Sequence, residues 1–304
     1  MQRLILFRFH DHLDVCRSRL ELLRHFNPGV PIHGLYGGPL GSGVSAHQAL
    51  APLLDTTWEI PVEDPAWKWQ HGDLALVDWY WAVGQALDFE VLHLLEWDLL
   101  VLAPLDRIYG ASGHRGVALT GLTPLHQVER RWYWTTQEPH RSRWHALKAW
   151  AQQRFGYAGP HWACQGPANV FSRAFLEGFA GLEVPELGHE ELRLPLVGAL
   201  LGLEVEGLPH IHRAIHAPED RPFFNCDRQG IHPSAIDACL SQPEGRRVFH
   251  PCAYPFSLHR ASANPEAFQV RACGPVGVIP VPTLVSRWNQ ASGEAILRAR
   301  VHRV

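Results

Sequence analysis

The sequence predicts an α/β fold, a mostly parallel central sheet flanked by helices. Across the first 120 residues, apolar runs of strand length alternate with longer stretches whose apolar residues recur at helical spacing. Such alternation calls for parallel strands joined by crossover helices. The 304-residue chain is 46% hydrophobic and shows no linker, repeat or low-complexity segment, so one domain over residues 1–304 is expected rather than two. Residues 1–125 form its first half; residues 126–304 form the second half and a C-terminal tail.

Residues 3–9 read as a buried strand, and residues 12–26 as a helix with Leu13, Cys16, Leu20 and Leu23 near one face. Asn27-Pro28-Gly29 ends that helix. Residues 32–36 are a second strand, and the glycines at 37, 38, 41 and 43 mark a flexible loop. Residues 56–60 are a short strand. Residues 73–87 read as a helix with Leu76, Tyr80, Val83 and Leu87 on one face, and Asp73 suits its positive N-terminal end. Residues 91–95 and 116–120 are further strands. Later helices are expected at 144–155, 171–179 and 194–203, and the tail after 205 is rich in Pro, His and Gly.

Composition excludes several classes. Lys and Arg number 27 against 30 Asp and Glu, a net charge of −3, which gives no electrostatic case for nucleic acid or an acidic membrane surface. No apolar run approaches the roughly 20 residues of a membrane span. The N-terminal apolar stretch stops at Arg8, too short for a signal peptide, so a cytoplasmic location is expected. Cys16, Cys164, Cys226, Cys239, Cys252 and Cys273 are scattered and read as reduced thiols. The glycines fit neither a phosphate-binding P-loop nor a dinucleotide fingerprint, and no serine-hydrolase elbow occurs.

The chemistry points to Glu96-Trp97-Asp98. Paired carboxylates closing an apolar strand are expensive to bury unpaired, and a hard divalent cation, Mg²⁺ or Mn²⁺, offsets that cost. The plain alternative is two acids capping a strand in water. In context the triplet resembles the acidic D-x-D motif of the glycosyltransferase-A-type, nucleotide-diphospho-sugar transferase superfamily, with Glu in place of the first Asp. Further segments resemble that superfamily: residues 32–38 the second strand and its loop near the base, 68–73 the approach to ribose, 166–173 the acceptor-side segment, 188–191 the acids before a helix, and 248–251 the late histidine of the metal site.

The resemblance implies a Rossmann-like glycosyltransferase-A-type fold, with residues 1–125 as nucleotide-binding half and 126–304 as acceptor side. It implies a metal-dependent transfer from a nucleotide-diphosphate sugar to a hydroxyl of an unknown sugar, lipid or small-molecule acceptor. Glu96, Asp98 and His250 would hold the metal. Arg8, Tyr36, Gly37, Gly38, Lys68 and Asp73 would approach the nucleotide, and Trp97 would shape the sugar pocket. Glu190 or Glu191, placed near a helix N-terminus that favours ionised acids, would serve as base in an inverting reaction. Rival readings are a nucleotidyltransferase of related fold, a non-catalytic nucleotide- or sugar-binding protein, and a zinc site on His210, His212 and His216. The Arg- and Trp-rich stretch 130–134 reads as an acceptor-facing or flexible segment.

Overall fold

The computed structural model describes residues 1–226 and 229–261. Cys273 and the rest of the tail lie outside the described residues. In chain order the elements are β1 (Arg3–Phe9), α1 (Leu13–Phe26), β2 (Ile32–Tyr36), α2 (Gly43–Leu50), β3 (Thr56–Glu59), α3 (Pro65–Gln70), α4 (Gly72–Ala82), β4 (Val91–Glu96), β5 (Leu100–Val101), α5 (Leu105–Tyr109) and β6 (Gly116–Pro124). There follow α6 (Tyr133–Thr136), α7 (His140–Phe155), β7 (Trp162–Ser172), α8 (Arg173–Gly181), α9 (Glu190–Leu200), β8 (Glu204–Gly207), α10 (Pro233–Leu240), β9 (Val248–Phe249) and α11 (Leu258–Ala261).

Seven strands form one sheet in the order β3-β2-β1-β4-β7-β6-β8. It is parallel except where β7 runs against β4 and β6. The α/β class and mostly parallel sheet are those the sequence predicts. Alternation in β1 splits the interior: Leu4 and Leu6 join the core under α4, α8 and α9, while Ile5, Phe7 and Phe9 join the core on the α1 side. The register sets Arg8 of β1 directly beside Glu96 of β4, so the sheet itself delivers this charged pair to its carboxyl end.

Several expectations need correction. The glycine-rich stretch expected as loop gives way to α2 at Gly43, and Pro65–Gln70 is also helical. Both helices are too short to show a full apolar stripe. The α3 start is built by Asp64, whose carboxylate accepts from the Ala66 N–H at 2.8 Å, with Pro65 in the first turn. Leu13 is 37% exposed rather than buried, because it opens the helix at the surface. Phe171 belongs to β7, paired with Leu92, and α8 begins only at Arg173. α9 begins at Glu190, so Pro195 lies inside it rather than in its first turn. Proline has no N–H for the carbonyl four residues back. That carbonyl, of Glu191, instead accepts from the Cys164 thiol at 3.4 Å.

Candidate metal and acid site

β4 ends at Glu96, and the chain turns at once. The Trp97 N–H donates to the Arg8 carbonyl at 2.9 Å, and the Leu99 N–H donates to the Glu96 carbonyl at 3.0 Å. The next two-residue strand, β5, pairs antiparallel with β9, matching Leu100 to Phe249 and Val101 to Val248. The Cys252 N–H closes on the Asp98 carbonyl at 2.7 Å. This small sheet brings His250 to the carboxyl end of β4.

Glu96, Asp98 and His250 each offer a ligand atom, and these atoms lie within 4.8 Å of one another. Among the described residues this is the one such group of metal-ligating side chains. His250 is buried, and its Nδ1 lies 2.7 Å from the Asn225 carbonyl. A carbonyl only accepts, so Nδ1 carries the proton and Nε2 faces the acids, 3.5 Å from Asp98 Oδ1. That Oδ1 atom is buried and has no hydrogen-bond partner among the described residues. An imidazole oriented by a carbonyl, an unsatisfied carboxylate oxygen and a second acid are a donor set suited to a hard divalent cation. Burial works against a charged His250, but Asp98 outweighs it and holds the imidazole pKa above its ordinary value. Burial likewise opposes the Asp98 charge, and His250 overcomes that and holds its carboxyl low. A cation held here would compete with a proton for the His250 Nε2 atom.

Arg8 joins this end of the sheet to α9. Its guanidinium contacts Glu96 and meets Glu190 through two bonds at 3.0 and 3.1 Å. Burial disfavours the Arg8 charge, but Glu190 and then Glu96 more than compensate and keep it cationic. Gly72 at the start of α4 makes room for the pair: a Cβ there would lie 1.7 Å from Arg8 Nη1 and 2.5 Å from Glu190 Oε2. Arg8, expected to approach the nucleotide, is thus engaged by two acids at this end of the sheet.

Glu191 is held from two sides. Trp134 donates its indole N–H to Oε2 at 2.7 Å, and the Gly166 N–H donates to Oε1 at 3.0 Å. Burial, then the nearby Glu190 charge, push its pKa up to about 8. Gly166 is fixed in turn by Asn169, fully buried at the irregular β6–β7 pairing. The Asn169 side chain donates to the Gln165 and Gly166 carbonyls at 2.8 and 2.9 Å and accepts from the Thr120 N–H at 2.9 Å. Ala168 takes a left-handed conformation, φ 67°, at the same place.

The other expected nucleotide contacts part ways. Asp73, expected near the ribose, is wholly buried in an ion pair with Arg193, both side chains at 0% exposure. Tyr36 packs into the core against Phe9, ring centroids 5.2 Å apart. Lys68 is buried and donates to the Gly38 carbonyl at 2.6 Å, which pins the Gly37–Gly38 loop. Trp97 is half-buried beside the acids and stacks on His12 at 4.7 Å, with His10 edge-on at 5.4 Å. His10 and His12, which sequence reasoning passed over, thus stand beside the candidate site. His12 stands in the left-handed region, φ 53°, at the head of α1, a conformation no motif announces. His212 stacks on Phe224 and packs beside Asp220, and among the described residues the histidines at 210, 212 and 216 are not part of a metal-ligating group.

No family model and no curated protein matches this sequence. Solved structures of galactosyltransferase LgtC do: an active-site mutant at 14% identity and a TM-score of 0.35, and a complex with donor and acceptor sugar analogs at 15% and 0.34. Each match covers 59% of this chain and 60% of LgtC. The bifunctional glycosyltransferase WbbM matches at 10% identity and a TM-score of 0.39, over 82% of this chain and 45% of its own. At such scores the likeness carries no argument, and the site itself has to carry the function. Among the described residues no helix is long and apolar enough to cross a membrane.

Proposed function

We propose that this chain is a metal-dependent glycosyltransferase that uses a nucleotide-diphosphate sugar as donor. The supporting observation is Asp98 Oδ1, a buried carboxylate oxygen left without a hydrogen bond and faced by His250 Nε2 at the carboxyl end of a parallel strand. Ligands of open α/β sheets bind beyond those strand ends. Asp98, Glu96 and His250 would hold Mn²⁺ or Mg²⁺, which when bound offsets charge building on the departing diphosphate. Arg8 fixes Glu96 and Glu190 in place. Trp97, stacked on His12, walls the space beside the acids, and the Gly37–Gly38 loop pinned by Lys68 borders the same sheet end. Residues 1–125 then serve the donor and residues from 126 onward the acceptor. The free thiols among the described residues fit a reducing compartment such as the cytoplasm.

Of the two acids on α9, Glu190 is engaged by Arg8 at both oxygens. Glu191 keeps 11% of its side chain open, and with its pKa pushed up to about 8 it is a strong base once ionised, above that pH. In an inverting reaction Glu191 accepts the proton of the acceptor hydroxyl; in a retaining one it positions Trp134 and Gly166.

A melting screen of UDP, GDP, CDP and dTDP, each with and without Mn²⁺, tests the donor site, because a ligand of the native state raises the melting temperature. The expected result is stabilisation by one nucleotide only with Mn²⁺, lost in Asp98→Ala and His250→Ala. No shift with any nucleotide would overturn the reading.

A further inference from the structure

Among the described residues, the large aromatic side chains left exposed are Trp69, at 54%, and Tyr133, at 51%. They come from separate elements, α3 and α6, yet both pack against Trp134, with ring centroids 5.1 and 5.0 Å away. One exposed ring needs no explanation; two that converge on a third do. Trp134 is buried and stacks on His189 at 3.6 Å with the planes 10° apart. Its polar edge is the N–H given to Glu191. His189 Nδ1 accepts from the Glu191 N–H at 3.3 Å, so the imidazole proton sits on Nε2, and that buried N–H has no hydrogen-bond partner. His140 closes the cluster, 4.8 Å from Trp134 and 5.2 Å from Tyr133. Two solvent-facing rings thus stand on a rigid base tied to Glu191, beside an unspent donor.

We propose that Trp69 and Tyr133 form a stacking platform for a sugar ring, which makes the acceptor a saccharide. This rests on the transferase reading above. The acceptor has to bring a hydroxyl to Glu191 and a weakly polar face to the rings, and a pyranose has both, with C–H faces and a rim of hydroxyls. An acyl chain offers no hydroxyl to Glu191. A nucleic-acid strand would bring phosphate charge toward Glu190 and Glu191.

The test is saturation-transfer NMR on the full chain with methyl glycosides of glucose, galactose, mannose and N-acetylglucosamine and with lactose. Sedimentation with phosphatidylglycerol vesicles runs alongside. The expected result is saturation of the ring C–H protons of at least one glycoside. Affinity should fall about ten-fold or more in Trp69→Ala and Tyr133→Ala, the size of one lost stacking contact, and be largely kept in Trp69→Phe. Both side chains are exposed, so unchanged melting temperatures check that the variants fold. Saturation of no glycoside, or binding that the alanine variants leave intact, overturns the platform. Vesicle binding that Trp69→Ala removes, without glycoside binding, overturns it in favour of a membrane contact. The nucleotide melting screen separates the two readings. Glycoside binding without any nucleotide shift leaves the platform standing and removes the transferase. A metal-dependent nucleotide shift without glycoside binding does the reverse.

Discussion

At the head of α4, Asp73 is buried against Arg193; just past the end of β4, Asp98 is half-buried and turns one shielded oxygen toward His250. In the first region every donor of the guanidinium is used. Nε reaches Asp73 at 2.7 Å, and Nη1 reaches the Leu187 and Gly188 carbonyls at 2.8 and 3.0 Å. Nη2 contacts Asp73 Oδ1, His71 Nδ1 and the Gln70 carbonyl. In the second region Asp98 Oδ1 makes no hydrogen bond, and the His250 nitrogen facing it is 3.5 Å away. Both regions place charge in a poorly solvated interior, where an unmet polar group is costly. The closed pair has spent its bonding capacity on the fold. The open one keeps capacity that no other described residue uses.

The hardest way to break this contrast is to cut the closed pair. Asp73→Ala leaves the Arg193 charge buried and unmatched, and removing one partner of such a pair costs about 3–5 kcal/mol. Denaturant unfolding should show the midpoint falling sharply without a change in slope. Asp98→Ala breaks a looser pair, and His250 can shed its proton when the acid is gone, so its effect on stability without metal should be clearly smaller than that of Asp73→Ala. Its effect on the Mn²⁺-dependent melting shift should be complete. Equal destabilisation by the two variants would erase the distinction between a structural and a ligand-facing carboxylate.

Legibility in the sequence follows the same divide. The strand and helix alternation was readable because apolar periodicity is local. Glu96 and Asp98 were readable because acids ending an apolar run are conspicuous. His250 came only through a resemblance: its arrival depends on two-residue strands, β5 and β9, too short to leave a pattern. Asp73 was readable as an acid of the first helical turn, where such a group normally faces water. Its burial is decided by Arg193, 120 residues further along. Arg8 likewise meets Glu190 across 182 residues, through sheet register and the packing of α9. The ring cluster around Trp134 draws on α3, α6, α7 and the residue before α9, so no window of sequence contains it.

The smallest expected effect concerns protons, and there the two regions differ in sign. His71 Nδ1 lies 3.0 Å from the Arg193 guanidinium, which can only donate, so the folded imidazole must be neutral. Burial first, and then the Arg193 charge, bring its pKa down from 6.5 to about 4. As pH falls from 6.5 toward about 4 the unfolded chain takes up this proton and the folded chain does not, so stability falls across that window. His250 runs the other way. Its folded pKa is raised by Asp98 despite burial, so its contribution is present at low pH and lost as pH rises through that value. His71→Gln keeps an acceptor for Arg193 but cannot charge. Unfolding free energies measured across the acid range should therefore show a shallower acid loss in His71→Gln than in the parent, and a steeper one in His250→Gln. Slopes that move together in the two variants would mean that Arg193 does not press on a neutral ring, and that the region at α4 is less closed than its hydrogen bonds imply.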